Sequence, residues 1–175
     1  MQFISRKKYL LCLPLVSIAI FSIASLLLAQ KANAANTATV NATVTVQSVS
    51  VSVSSGAVSY GTLATNTSAG TNGSDTQTST NNGNVAEDLN ILGSNSTGWT
   101  LGTSAGTNTY VHQFCTSSCG TAPTNYTKLT TSYQALKTNL AANGTQTFDL
   151  YLTTPTSTTD FTQQSVNVTV QAVAH

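Results

Sequence analysis

Arginine is missing from the chain after Arg6, and only two lysines, Lys128 and Lys137, follow Lys31. Charged residues of either sign make up 6% of the 175 residues. A chain so poor in cations cannot neutralise a run of phosphates, so the counterion release that drives nucleic-acid binding is not available to it. DNA and RNA are excluded as partners. Aromatic residues are equally scarce, at 7%, with a single tryptophan. The chain also lacks two short motifs of hydrolytic or nucleotide chemistry: it has no His-Glu-x-x-His and no glycine loop of the phosphate-cradling kind. No enzymatic activity is expected. What fills the chain instead is threonine, serine and asparagine, together roughly 45% of residues 35–175, a composition that favours strands and turns over helices.

The one long apolar run is at the start. Arg6-Lys7-Lys8 precedes an almost uninterrupted apolar stretch from Tyr9 to Ala29, and Ala32-Asn33-Ala34 supplies the small-x-small site that a signal peptidase needs. Residues 1–34 therefore read as an export signal of the general secretion route, cut between Ala34 and Ala35. The run of about 20 apolar residues is also long enough to cross a bilayer, so an uncut anchor is the alternative and the only membrane association expected. Cys12, after Tyr-Leu-Leu rather than a small residue, does not resemble an acylated lipoprotein cysteine. Removal of the signal takes four of the six basic residues with it. Lys128 and Lys137 then face Asp75, Glu87, Asp88, Asp149 and Asp160, and the formal charge turns from +1 to −3. About 141 residues remain, near the usual size of one domain.

Within residues 35–175 the apolar residues alternate as in strands. Val40, Ala42, Val44 and Val46 share one face, and Val49, Val51 and Val53 share one in the opposite parity, so the phase switches near Gln47-Ser48. With a side-chain period of two, such a switch means a bulge or a strand that crosses between sheets. Further strands are expected at Val58–Leu63, Val85–Leu92, Trp99–Leu101, Thr109–Phe114, Phe148–Leu152 and Val166–Ala172. Residues 64–84, rich in Thr, Asn, Ser and Gly and without a large apolar residue, read as a long surface loop. Leu129, Tyr133, Leu136 and Leu140 are spaced as on a helix, with Thr130, Thr131 or Ser132 as its N-cap, so residues 126–140 form either a short crossing helix or a strand. The spacing of polar turns points to an all-β fold, an antiparallel immunoglobulin-like β-sandwich of seven to nine strands with room for that one helix. Such a domain buries enough surface to fold without a cofactor.

Few residues suggest chemistry. Cys115 and Cys119, exposed to an oxidising compartment, are expected to close a small disulfide loop. Their three-residue spacing departs from the two of thioredoxin-like redox motifs. His112 would complete a His-x-x-Cys-x-x-x-Cys set for zinc, but a fourth ligand is wanting, with only His175 in view, and no metal is expected. As a catalytic pair, His112 and Cys115 would point to opposite faces of one strand. Glu87 and Asp88 are adjacent and would do the same. Asp75 with Asn81, Asn82 and Asn84 offers oxygen ligands without the spacing of a calcium loop, and reads as a solvated turn. Asn41, Asn66, Asn72, Asn95, Asn125, Asn143 and Asn167 each begin an Asn-x-Ser/Thr triplet, about as many as chance supplies in this composition. A lysine-to-asparagine crosslink would need Lys128 or Lys137 buried beside an acid.

Val58-Ser59-Tyr60-Gly61-Thr62-Leu63, Asn82-Gly83-Asn84-Val85-Ala86-Glu87-Asp88-Leu89-Asn90-Ile91 and Phe148-Asp149-Leu150-Tyr151-Leu152 give the chain an order and texture that resembles small exported β-sandwich surface proteins, the biofilm-fibre and camelysin group. Trp99-Thr100-Leu101 resembles the Trp-x-Leu signature of peptidoglycan-associated wall proteins, which carry two such motifs where this chain has one. Apart from that motif, Trp99 is expected as a core aromatic between the sheets. The resemblance implies a structural role at the cell surface, as a fibre or coat subunit. Val40, Ala42, Val44 and Val46 would then form a donor strand that completes a neighbour's sheet. The alternative is an adhesion module whose end loops, residues 64–84 and 103–124 with Tyr126 beside them, contact carbohydrate, cell wall or a protein partner.

Overall fold

A computed structural model describes residues 36–175 of the chain. The expected export signal over residues 1–34, its cleavage between Ala34 and Ala35, and Cys12 lie outside the described residues. Residues 45–175 form one compact unit, and all the sheet structure among the described residues lies within it.

The unit is an all-β sandwich of ten strands: β1 (Val51–Ser54), β2 (Ser68–Gly70), β3 (Gln77–Asn81), β4 (Glu87–Gly93), β5 (Thr100–Leu101), β6 (Thr109–Cys115), β7 (Thr127–Lys128), β8 (Gln134–Leu140), β9 (Thr145–Thr153) and β10 (Val168–Ala174). Seven strands make the larger sheet, ordered β1-β3-β9-β6-β5, with β2 also on β9 and β7 also on β6. The smaller sheet is β10-β4-β8. All pairs are antiparallel except β5 with β6, which run parallel. Leu89 and Ile91 alternate inward along β4 and meet Phe148 and Leu150 of β9, Phe114 of β6, and Leu136 and Leu140 of β8 in one core. That period-two burial is what the Val and Leu alternation demands.

Four readings of the sequence need correction. Residues 64–84 are not one surface loop, because β2 and β3 run through them and Gln77, Ser79 and Asn81 face inward at 3%, 0% and 0% exposure. Residues 126–140 hold no helix: Leu129 follows the short β7, Leu136 and Leu140 lie on β8, and Tyr133 is exposed. The helical spacing spans a turn between two strands, in which Thr130 Oγ1 donates to Ser132 O instead of capping a helix. Val58–Leu63 alternates but forms no strand, and Gly61 within it takes a positive φ of 68°. Residues 37–50 likewise belong to no strand and are exposed, so Val40, Ala42, Val44 and Val46 are not part of a sheet.

The phase switch at Gln47-Ser48 has a physical cause. Asn84 binds this stretch twice through its side chain, Nδ2 donating to Val46 O at 2.8 Å and Oδ1 accepting from Ser48 N at 2.8 Å. Ser50 N donates to the buried Glu87 Oε1 at 2.8 Å. Residues 46–50 are thus held to the turn that joins β3 to β4 before β1 enters its ladder. Gly83 permits this approach, since a Cβ there would collide with Ser48 O and Glu87 Oε1.

Candidate binding cleft and N-terminal strand

Three strands cannot cover a sheet five strands wide, and the uncovered part of the larger sheet is the floor of an open cleft of about 1100 Å³. Phe148, Leu150 and Leu152 of β9 and Tyr110 and His112 of β6 line that floor, and Val168 and Val170 of β10 form one wall. Two stretches without secondary structure, within residues 56–65 and 160–167, complete the rim. The second is tied down by Gln164, whose Oε1 accepts from Gly98 N at 2.9 Å and Ser96 Oγ at 2.7 Å, while its Nε2 donates to Asp160 Oδ2 at 3.0 Å. Hydrogen bonds from Thr162 hold the Asp160 carboxyl below its ordinary range.

An aromatic group closes one side of the cleft. Tyr60 OH and His112 Nε2 are 2.8 Å apart, with the rings edge to face at 5.7 Å. Tyr110 lies 6.3 Å from His112 on one side and 6.3 Å from Trp99 on the other. Trp99 is half-buried, lines the cleft and donates through Nε1 to Thr158 Oγ1 at 3.0 Å, so it is a rim aromatic rather than the core aromatic between the sheets expected apart from its motif. Burial lowers the His112 pKa from 6.5 to about 4, which keeps the ring neutral at physiological pH, and it raises the Tyr60 and Tyr110 hydroxyls well above theirs. His112 Nδ1 has no hydrogen-bond partner among the described residues. The cleft therefore offers apolar surface, aromatic faces and neutral polar atoms. This group was not legible in sequence, because its four rings come from three segments, with Tyr110 and His112 both on β6, that only the fold brings together.

The remaining candidates are dispersed. Cys115 and Cys119 are bonded to each other, with Cα atoms 5.7 Å apart, and His112 faces Tyr60 rather than either sulfur. Among the described residues, no three His, Cys, Asp or Glu side chains stand close enough together to share an ion. Glu87 is fully buried, whereas Asp88 lies on the outer face of β4 and accepts from Asn139 N and His175 Nδ1 at 2.8 Å each, with its pKa lowered by the Asn139 N–H first and His175 second. Asp75 precedes β3 and Asn81 ends it, so the two stand apart and share no oxygen cluster. Lys128 and Lys137 are both exposed, which removes the buried setting an amide crosslink needs. Tyr126 packs on Tyr151 at 5.6 Å and is no free stacking platform.

The expected donor strand has the opposite problem to a buried site. Val40, Val44 and Val46 are 92%, 91% and 80% exposed. Comparison with protein families, with curated proteins and with solved structures finds no match to this chain.

Proposed function

We propose that this chain is a non-enzymatic structural protein, exported to the cell surface, which assembles into a fibre or coat by lending its N-terminal strand to a neighbouring copy. The observation that carries the reading is the exposure of Val40, Val44 and Val46, three large apolar residues of one parity in a stretch without a sheet partner. Burying each would contribute about 1.5–3 kcal/mol, and a strand made of alternating valine and threonine pairs well with a sheet edge. The even positions, Ala38, Val40, Ala42, Val44 and Val46, are small and apolar, while Thr37, Thr39, Asn41, Thr43 and Thr45 are polar and uncharged. Such a strand can lie on an apolar surface with one face and meet water with the other.

Light scattering on the secreted chain beginning at Ala35 tests this. Large particles are expected, and deletion of residues 35–47 should reduce them to monomers. Unchanged particle size after the deletion would remove the proposal.

A second reading, an adhesion module for carbohydrate, is favoured by the Tyr60, Tyr110 and Trp99 group at the cleft, since aromatic faces suit sugar rings. It requires a chain that stays monomeric on dilution and binds oligosaccharide.

A further inference from the structure

We infer that the cleft takes an uncharged oligosaccharide several rings long, and that Tyr60 and His112 in its lining present one hydrogen-bond donor to that ligand. The inference rests on the carbohydrate reading above and deepens it, by naming the class of sugar and the atoms that meet it.

Tyr60 and His112 hold a donor that no described residue uses. A neutral imidazole carries a single N–H, on one ring nitrogen or the other. With the proton on Nδ1, Nε2 accepts from the Tyr60 hydroxyl, and the Nδ1–H of a side chain only 2% exposed has no acceptor among the described residues. With the proton on Nε2, that N–H donates to the Tyr60 oxygen. The Tyr60 O–H is then the group left without an acceptor, since it bonds to no other described residue. Either arrangement leaves one donor over, and a buried donor without a partner is costly. Tyr60 is half-buried and lines the cleft, so the second arrangement places the donor where an oxygen entering the cleft can accept from it.

The lining selects against charge. Asp160 is the one charged residue in it, and its carboxylate already accepts from Thr162 N and Oγ1 and from Gln164 Nε2. No lysine or arginine stands there to neutralise an anion, and Asp160 is occupied, so a cation finds no free counter-charge either. The polar remainder is hydroxyl and amide, as in Ser59, Thr62, Gln163, Ser165 and Asn167, and polar surface lines the cleft as much as apolar surface does. A sugar ring has the same division, with hydroxyls around its edge and C–H groups on its faces. Those faces suit the rings of Tyr60 and Trp99, and the bond from Trp99 Nε1 to Thr158 Oγ1 fixes the indole in place.

Size sets the length of the ligand. At about 1100 Å³ the cleft exceeds the roughly 300–1000 Å³ of small-ligand sites, and it is open. One sugar ring would leave most of it to water, whereas a chain of rings can lie along it.

Isothermal titration calorimetry on the secreted chain beginning at Ala35 tests this with four hexasaccharides: cellohexaose, N-acetylated chitohexaose, mannohexaose and, as the charged counterpart, hexagalacturonate. A neutral hexamer should bind, more tightly than its own disaccharide, and hexagalacturonate should not. The single tryptophan, Trp99, lines the cleft, so its emission should shift to the blue on binding. Tyr60→Phe removes the donor and should weaken the same hexamer about tenfold, the loss of one hydrogen bond. Tyr133→Phe, which removes an exposed tyrosine hydroxyl outside the cleft, should leave its affinity unchanged. Should Tyr60→Phe lose its β-sheet circular dichroism, Gln163→Ala/Ser165→Ala takes its place, at exposed positions of the rim outside every strand, and should weaken the hexamer too. A neutral hexamer that binds all these variants like the parent, or a preference for hexagalacturonate, overturns the inference while the carbohydrate reading stands. Binding of none of the four removes both.

Discussion

Leu89 and Asn81 are equally inaccessible to solvent, at 0% exposure, yet they are buried by different physics. Leu89 belongs to the apolar region centred on β4, β8 and β9, where the gain is the removal of methyl groups from water. Asn81 closes the inward face of β3, whose other members are Gln77 and Ser79. Its Nδ2 donates to Val85 O and Leu140 O at 2.9 Å each, and its Oδ1 accepts from Gly83 N at 2.8 Å. Gln77 donates to Asp75, and Thr71 Oγ1 accepts from Leu150 N at 2.8 Å nearby. One region of the sandwich is held by area and the other by side-chain hydrogen bonds of Asn81, Gln77 and Thr71, with the buried Ser79 Oγ left without a partner among the described residues, and each should fail in its own way.

The largest effect should come from the apolar region. Leu89→Ala opens a cavity at a site closed on all sides and should cost about 2–5 kcal/mol, read from the urea midpoint at unchanged slope. Replacement by methionine, of similar volume, should recover most of the loss. Asn81→Ala comes next, at roughly 3 kcal/mol, because it leaves two carbonyls and one N–H buried without partners. The discriminating variant is Asn81→Leu. It adds apolar surface and should still be as damaging as Asn81→Ala; a leucine that restores stability there would mean that β3 is held by area like the rest of the core.

This division also explains what the sequence disclosed. The strands β4, β9 and β10 were visible because Leu89, Ile91, Phe148, Leu150, Val168 and Val170 repeat with a period of two. The strands β2 and β3 were invisible because Gln77, Ser79, Asn81 and Thr71 are residues that composition assigns to loops, and the bonds of Asn81 to Leu140 and of Thr71 to Asp149 and Leu150 lie across long sequence distances. Val58–Leu63 failed in the reverse direction. Its alternation is real, and Val58 and Tyr60 pack on the core, but no strand lies beside it. Of the candidate site, the donor face was readable from its alternation alone, whereas the cleft depends on a mismatch in width between two sheets that no local pattern encodes.

Between the two regions, the disulfide offers a smaller test. It closes a loop with a separation of only 4 residues, and Cys119 O accepts from Asn72 Nδ2 at 2.9 Å and Tyr126 OH at 3.3 Å. A loop so short restricts the unfolded chain little, so Cys115→Ser/Cys119→Ser should cost about 2 kcal/mol on the chain-entropy account. Reduction should leave both buried regions intact, with cooperative unfolding at a lower midpoint and unaltered slope.

The last effect, the smallest over any one pH unit, isolates His112, where the two kinds of burial meet: an imidazole hydrogen-bonded to Tyr60 on a largely apolar floor. Burial lowers its folded pKa to about 4 from the ordinary 6.5. Between those values the unfolded chain binds a proton that the folded chain refuses, so stability rises with pH across that window and is lost as pH falls from 6.5 towards 4. The slope is at most about 1.4 kcal/mol per pH unit for one group. Asp88 and Asp160, both held below 3.8, release their contributions only at lower pH, so the two ranges are separable. Urea unfolding at steps from pH 7 to pH 4.5 should show the slope in the parent and lose it in His112→Gln, which keeps a neutral hydrogen-bonding side chain near Tyr60. A slope that survives the substitution would assign the proton to another group, and the floor of the cleft would then contribute to stability by area alone.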